Sequence, residues 1–221
     1  MSHIAFFLVS LALVPAAGLA AGEAFHATGA AVINGCPIVP STSCPGVDLR
    51  HAQLANASLA RSDLSGAILA GADLRRADVR GATLRRADLR RATMGGILLD
   101  RADLSGADLR GAELPQASLV AATLVDATLE YADLADAEFR GAELNGARLT
   151  GAKMMGVDLQ GADLTRAILD EADLRGANLR GVVFRDARLE RANLTGAMVD
   201  GADFRGARID GCRGCPTAVP R

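Results

Sequence analysis

Between Val47 and Gly211 an apolar residue recurs at every fifth position, from Leu49 to Ile209, through 33 repeats without insertion or slip. This centre is Leu in 25 repeats; the others are Val79, Met94, Phe139, Met154, Phe184, Val199, Phe204 and Ile209. Two residues before the centre lies a small slot, Ala in 28 repeats, with Val47, Ser62, Ile97, Val157 and Val182 as exceptions. Between them is an outward slot, Asp or Glu in 15 repeats, and after the centre come two corner positions, the second of which is Gly in 17. So regular a repeat sets the architecture before any other signal is weighed.

A period of five excludes a long helix. At about 100° per residue, successive centres would turn by ~140° and smear around the axis. Repeated Gly would also cost about 1 kcal/mol each in a helix interior. An unbroken strand fails as well, because a period of two sends alternate centres to opposite faces. A short strand followed by a corner succeeds. The small slot and the centre point inward together, the outward slot faces solvent, and Gly supplies the positive φ that corners often need. With one repeat per side, four repeats close a square coil filled by Leu and Ala. Coils stacked about 4.8 Å apart make a rod ~40 Å long, of just over eight turns.

Runs such as Ala72-Asp73-Leu74-Arg75-Arg76 and Ala177-Asn178-Leu179-Arg180-Gly181 resemble the pentapeptide repeat family over residues 47–211. The resemblance implies an all-β fold, a right-handed quadrilateral β-helix. Its implications for function are looser, since a fold hosts many functions.

The flanks set the remaining expectations. Residues 1–24 read as a secretory signal: Ile4–Val14 is apolar, Pro15 ends the run, and Ala20-Ala21-Gly22 offers small residues for cleavage, with Ala24 a further option. The n-region has only the amino terminus and His3, and a short buried hydrophobic segment is the competing reading. The apolar run is too short to span a bilayer comfortably, and no other stretch could be transmembrane. Residues 25–46 form a lead-in holding Cys36 and Cys44 among Pro37, Pro40 and Pro45. A solenoid end must be covered, and Ala30–Ile33 is expected to be a strand or plug over the first coil. The cysteines are expected to staple the following loop, as suits an exported protein. A lipid-modified Cys36 is the alternative. Residues 212–221 form a C-terminal tail with Cys212 and Cys215 in a C-x-x-C, read as a structural clasp, a redox pair or half a zinc site. The two cysteine pairs lie at opposite ends of a ~40 Å rod, out of reach of a shared metal or bridge.

Net charge is −2 over 221 residues, which points to neither nucleic acid nor an anionic membrane. Arg75, Arg80, Arg85 and Arg90 fall on four different sides, a belt of cross-coil ion pairs rather than a nucleic-acid-binding stripe. Pro115, Val120, Ala121, Val125, Tyr131 and Ala135 place apolar residues in corner positions, and this girdle is the candidate contact surface. Ile68 and Ile168 share one side, Leu98 and Met198 another, and Phe184 and Phe204 should stack inside. His3, His26 and His51 are the only histidines and no triad or phosphate loop exists, so no enzyme activity, metal or cofactor is expected. The leading expectation is an exported, periplasmic or extracellular rod binding an unknown protein partner. Two others stand beside it: a DNA-mimicking rod that binds and protects gyrase, as the resemblance allows, and a thiol-redox role for the C-x-x-C.

Overall fold

The computed structural model describes residues 23–25 and 31–217. The signal expected in residues 1–24 lies outside the described residues apart from Glu23 and Ala24, as do Ala30 and residues 218–221. The chain enters through a three-stranded antiparallel sheet, β1 (Glu23–Phe25), β2 (Ala31–Ile33) and β3 (Cys36–Pro37), in that spatial order. A cleavage after Ala24 would therefore divide β1. Ile33 and Ile38 pack against the core of the coils, Asn34 Nδ2 donates to the Asp48 carbonyl at 2.6 Å, and Ser62 Oγ donates to the Val39 carbonyl at 3.4 Å. These contacts seat the lead-in on the first coil, where Leu49, Leu54 and Leu59 are no more than 1% exposed.

From there the chain is a tube of stacked coils. Thirty-one parallel bridges join outward-slot residues, each to the residue 20 later, from Ser43↔Asp63 to Asn193↔Arg213. Four five-residue sides therefore make one turn. The ladder starts before Val47, with Cys44 occupying a centre slot, and runs past Gly211 to Arg213.

Every corner is built alike. The second corner residue has φ between 54° and 75° in all 33 repeats from His51 to Gly211. The next small-slot N–H donates to the preceding centre carbonyl at 2.9–3.2 Å, as Ala52 does to Leu49. This is a type II turn. Sixteen of these corners hold a residue other than Gly, so the left-handed conformation is imposed by the stacked ladder, not merely permitted by Gly. Side-chain room is a further reason for Gly at some corners. The ring of His51 lies over Gly71 and that of Tyr131 over Gly151, where an added Cβ would stand 2.6–2.7 Å from ring atoms.

Within the stack four of the five backbone donors in each repeat have backbone partners. In repeats with a coil on both sides the small-slot N–H closes the turn, and the outward-slot, centre and second-corner N–H groups bond to adjacent coils, as Asp73, Leu74 and Arg76 do to Ala52, Thr93 and Gly95. The fifth, at the first corner, is left over. All 12 Asp and both Asn in outward slots, from Asp48 to Asp203, accept that N–H with a side-chain oxygen at 2.9–3.4 Å. No outward-slot Glu does so among the described residues. The recurring Asp thus has a backbone task set by its length, beyond providing surface charge. Where the outward slot holds Ser118 or Arg188, the N–H of Val120 or Glu190 is taken instead by Asp100 or Asp170, one coil earlier. Pro115 needs no such acceptor, and its fixed φ suits the first corner of a type II turn.

A direct check is Asp163, whose Oδ1 accepts from both the N–H (2.9 Å) and the hydroxyl (2.6 Å) of Thr165. Asp163→Ala should lower unfolding free energy by about 1 kcal/mol, and Asp163→Asn by much less, in urea titrations. Equal losses for the two variants would mean that charge, not the bond, is what matters.

The interior is dry. Centres and small slots from Leu64 to Leu194 are almost wholly buried, and the space among Leu64, Leu69, Leu74, Val79 and their neighbours holds only about 10 Å³. Phe184 and Phe204 stack inside as expected, with centroids 4.9 Å apart and planes 22° from parallel. At the far end Val199 and Ile209 are only half-buried.

Candidate interaction surfaces

With the interior filled, function has to reside on the sides, edges and ends. On the sides the ion pairs differ from the cross-coil belt expected. Eight arginines at first corners pair with the carboxylate two residues earlier in their own repeat, at 2.5–2.7 Å: Arg50, Arg75, Arg80, Arg90, Arg110, Arg140, Arg175 and Arg205. In the Asp pairs Oδ1 accepts from both the corner N–H and the Arg Nε while Oδ2 accepts from the other guanidinium nitrogen, as in Asp73 with Arg75. Cross-coil pairs also form, as in Arg85–Asp103, Arg148–Glu130, Arg185–Asp203 and Arg188–Asp170. The arginine bonds hold Asp73, Asp78, Asp88 and Asp173 below the usual carboxylate range. Hydrogen bonds from Arg50 take Asp48 down to about 2, and those from Arg205 and Arg185 act on Asp203 in the same direction. Second-corner arginines behave differently. Among the described residues Arg61, Arg76, Arg86, Arg91, Arg101 and Arg166 make no ion pair, while Arg191 reaches Glu171 at 2.7 Å.

Stacking turns the corners into four continuous edges. Where a coil contributes Gly or Ala between bulkier neighbours, a shallow groove opens. One of about 700 Å³ runs past Arg61, Gly81, Asp100 and Arg101. Another of about 510 Å³ is lined by His51, Ala70, Gly71, Arg90, Arg91 and Arg110.

The girdle residues Pro115, Val120, Val125 and Tyr131 occupy four successive corners, so each lies on its own edge and they form a ring rather than one patch. Tyr131 is 68% exposed, whereas Pro115, Val120 and Val125 are half-buried. Met155, 50% exposed, was not singled out by the sequence reading, although its apolar side chain in a first-corner slot is the same signal that marked Pro115.

At the ends, Cys36 is disulfide-bonded to Cys44 and Cys212 to Cys215, each pair with Cα atoms 5.8 Å apart. The first bond ties β3 to the opening coil. The second lies where the ladder stops: Arg213 still bridges Asn193, and Gly214 takes the next centre slot with φ +75°. Cys212 and Cys215 are half-buried against the core, and no helix among the described residues offers an N-terminus to lower a thiol pKa. Among the described residues no cluster of three or more His, Cys, Asp or Glu could hold a metal ion, and no helix is long and apolar enough to cross a membrane.

Comparison with known proteins agrees with this geometry. The solved structure of trypsin-treated QnrB1, a plasmid-mediated fluoroquinolone resistance protein, is similar over 79% of this chain and 90% of its own, with 19% identity and a TM-score of 0.65. HetL, a pentapeptide repeat protein involved in heterocyst differentiation regulation from the cyanobacterium Nostoc sp. strain PCC 7120, is 28% identical over the same shares at a TM-score of 0.32. No curated protein matches the chain in sequence. Likeness to QnrB1 at this identity shows the fold alone, a right-handed β-helix. The pentapeptide repeats themselves match in eight copies, covering residues 48–86, 82–119, 122–161, 132–170, 156–186 and 172–211, and on that ground the chain belongs to the pentapeptide repeat family.

Proposed function

We propose that the chain is an exported, non-enzymatic rod that presents rigid charged sides and edges to a protein partner in the periplasm or outside the cell. The observation that carries this reading is the pair of disulfides, one at each end of a dry tube whose interior offers no ligand space. Disulfides persist in oxidising compartments, and a closed backbone ladder keeps surface residues in fixed register. The apolar run of residues 4–14 supports export from the sequence side. Tyr131 and Met155, exposed on adjacent edges one coil apart, are the apolar anchors such a partner would use.

Intact mass from fractionated host cells, with and without alkylation, tests this. The expected species begins near residue 21–25, lies outside the cytoplasm, and has four cysteines unreactive until reduced. A full-length cytoplasmic species with four free thiols would sink the proposal.

A second reading, a DNA-mimicking rod that binds gyrase, draws support from the structural likeness to QnrB1. Against it stands the surface chemistry, in which the outward carboxylates are largely neutralised by adjacent arginines rather than set out as phosphate-like rows. Protection of gyrase supercoiling from a quinolone by the purified chain would revive it.

A further inference from the structure

We propose that one edge of the rod is a self-complementary docking surface for a second copy of this chain, packed side by side and antiparallel about a two-fold axis at Tyr131. The edge consists of nine corners. Backbone bonds stitch them in line: His51 to Ala70, Gly71 to Arg90, Arg91 to Arg110, Gly111 to Glu130, Tyr131 to Thr150, Gly151 to Asp170, Glu171 to Glu190 and Arg191 to Asp210, at 2.8–3.1 Å. At ~4.8 Å per coil the edge spans ~38 Å.

Charge is divided along it. The first four corners carry Arg50, His51, Arg90, Arg91 and Arg110 and no acid of their own; Arg50, Arg90 and Arg110 are bonded to Asp48, Asp88 and Asp108 on the adjoining sides, which leaves Arg91 as the unpaired arginine there among the described residues. The last three carry Asp170, Glu171, Glu190 and Asp210 against the single Arg191. Tyr131, the chain's one tyrosine and 68% exposed, sits in the fifth corner, at the midpoint.

A two-fold axis there reverses the order of corners in the second copy. Tyr131 then meets its twin, and Glu130 beside it also faces its own copy, with its charge held by Arg148 at 2.7 Å. Arg90 and Arg91 meet Asp170 and Glu171, and Arg50 and His51 meet Asp210. Asp170 is held by Arg188 at 2.5 Å and is only 12% exposed, whereas the Glu171 carboxylate, bonded to Arg191 at 2.7 Å, stays open enough to take a second guanidinium, so the cross-copy pair is Arg91 with Glu171. Glu171 is 53% exposed and Arg91 has no ion pair among the described residues. Shape follows charge. Ala70 and Gly71 leave the 510 Å³ groove among Arg90, Arg91 and Arg110, and the corner brought opposite carries the long acidic side chain of Glu190. Isologous pairing requires this kind of self-complementarity.

The other three edges fail the same operation. Reversed about their midpoints, they set Arg80 against Arg180, Arg85 against Arg185 and Arg75 against Arg175, with Arg86 against Asp186 as a favourable exception, and like charges face to face oppose association.

The test is sedimentation of the oxidised full chain at low and high salt, with dityrosine coupling by photo-oxidation as a position-specific readout. The expected result is a dimer at low ionic strength that weakens as salt screens the pairs, and a dityrosine-linked dimer, which only apposed copies of Tyr131 can give. Arg91→Glu should weaken association at least ~10-fold, and adding Glu171→Arg should restore it, since the exchanged charges still meet across the axis. Unchanged circular dichroism in each variant separates lost association from lost folding. A monomer under all conditions, or a dimer indifferent to Arg91→Glu and without dityrosine, would overturn the proposal; the latter would place contact at the rod ends.

Discussion

Replacing Ala132 with aspartate should break cooperative folding at the middle of the rod. Ala132 is wholly buried, its N–H closes the turn to Leu129, and its carbonyl accepts from Lys153. One coil away on either side the same slot holds Ala112 and Ala152. A carboxylate there would stand in a tube whose polar side chains, among the described residues, are limited to Ser62, far away at the first coils, since the other buried polar residue, Asp170, belongs to a corner. Without a partner the group must either remain charged at a prohibitive cost or take up a proton, and the expected loss is ~5 kcal/mol or more. Each coil is supported only by its neighbours, so the damage should divide the rod into two halves with separate urea transitions by far-UV circular dichroism. The control is Ala135→Asp, three residues on at a half-buried corner, where the change should stay within ~0.5 kcal/mol. If Ala132→Asp kept the parental midpoint, the small slot would not be the inside of a sealed tube.

Acid should destabilise the whole rod at once. Hydrogen bonds from the neighbouring arginine lower Asp48, Asp73, Asp78, Asp88, Asp173 and Asp203, and the Ser65 hydroxyl lowers Asp63. Partial burial is the largest single influence on Asp103, Asp108 and Asp163 and pushes them up, yet their hydrogen bonds and nearby arginines together hold them below the usual value. Each carboxylate therefore binds a proton more weakly folded than unfolded. The stability this confers is complete above the ordinary Asp value near ~3.9 and disappears as pH falls through the depressed folded values. Urea midpoints should be flat from about pH 7 to pH 5, then fall steeply between about pH 4 and pH 2. A midpoint unchanged at about pH 2 would mean that protonated carboxyls cap the corners as well as carboxylates do. Added salt should weaken the exposed Arg–Asp pairs more than the N–H caps, because the caps do not rely on a distant charge.

Much of this architecture could be read without coordinates, because each repeat carries its own instructions. A small residue and a Leu two apart specify inward faces, a residue with positive φ specifies a corner, and 33 uninterrupted copies leave no other fold in which every Leu is buried. The stacking of Phe184 on Phe204 followed from their separation by four repeats. The chemistry of the Asp was less legible. Its outward position was evident, but the Asp preference over Glu reflects one unsatisfied corner N–H, visible only once the other four donors in the repeat have been assigned. Likewise the ion pairs proved to be divided between those within a repeat and those between coils, since side-chain reach across a tight corner is a matter of three-dimensional distance.

The girdle shows the same limit from the other side. Pro115, Val120, Val125 and Tyr131 are neighbours in sequence, and tertiary structure deals them to four different edges. Conversely, Arg91 and Glu171 lie eighty residues apart and share one edge. The sequence by itself determined the coil, its period, its core and the places of its cysteines, because those depend on local pattern and on burial. Only the tertiary structure decided which donors remain to be capped and which charges face outward unpaired. Those are properties of stacking, and stacking joins residues twenty positions apart that no local pattern compares.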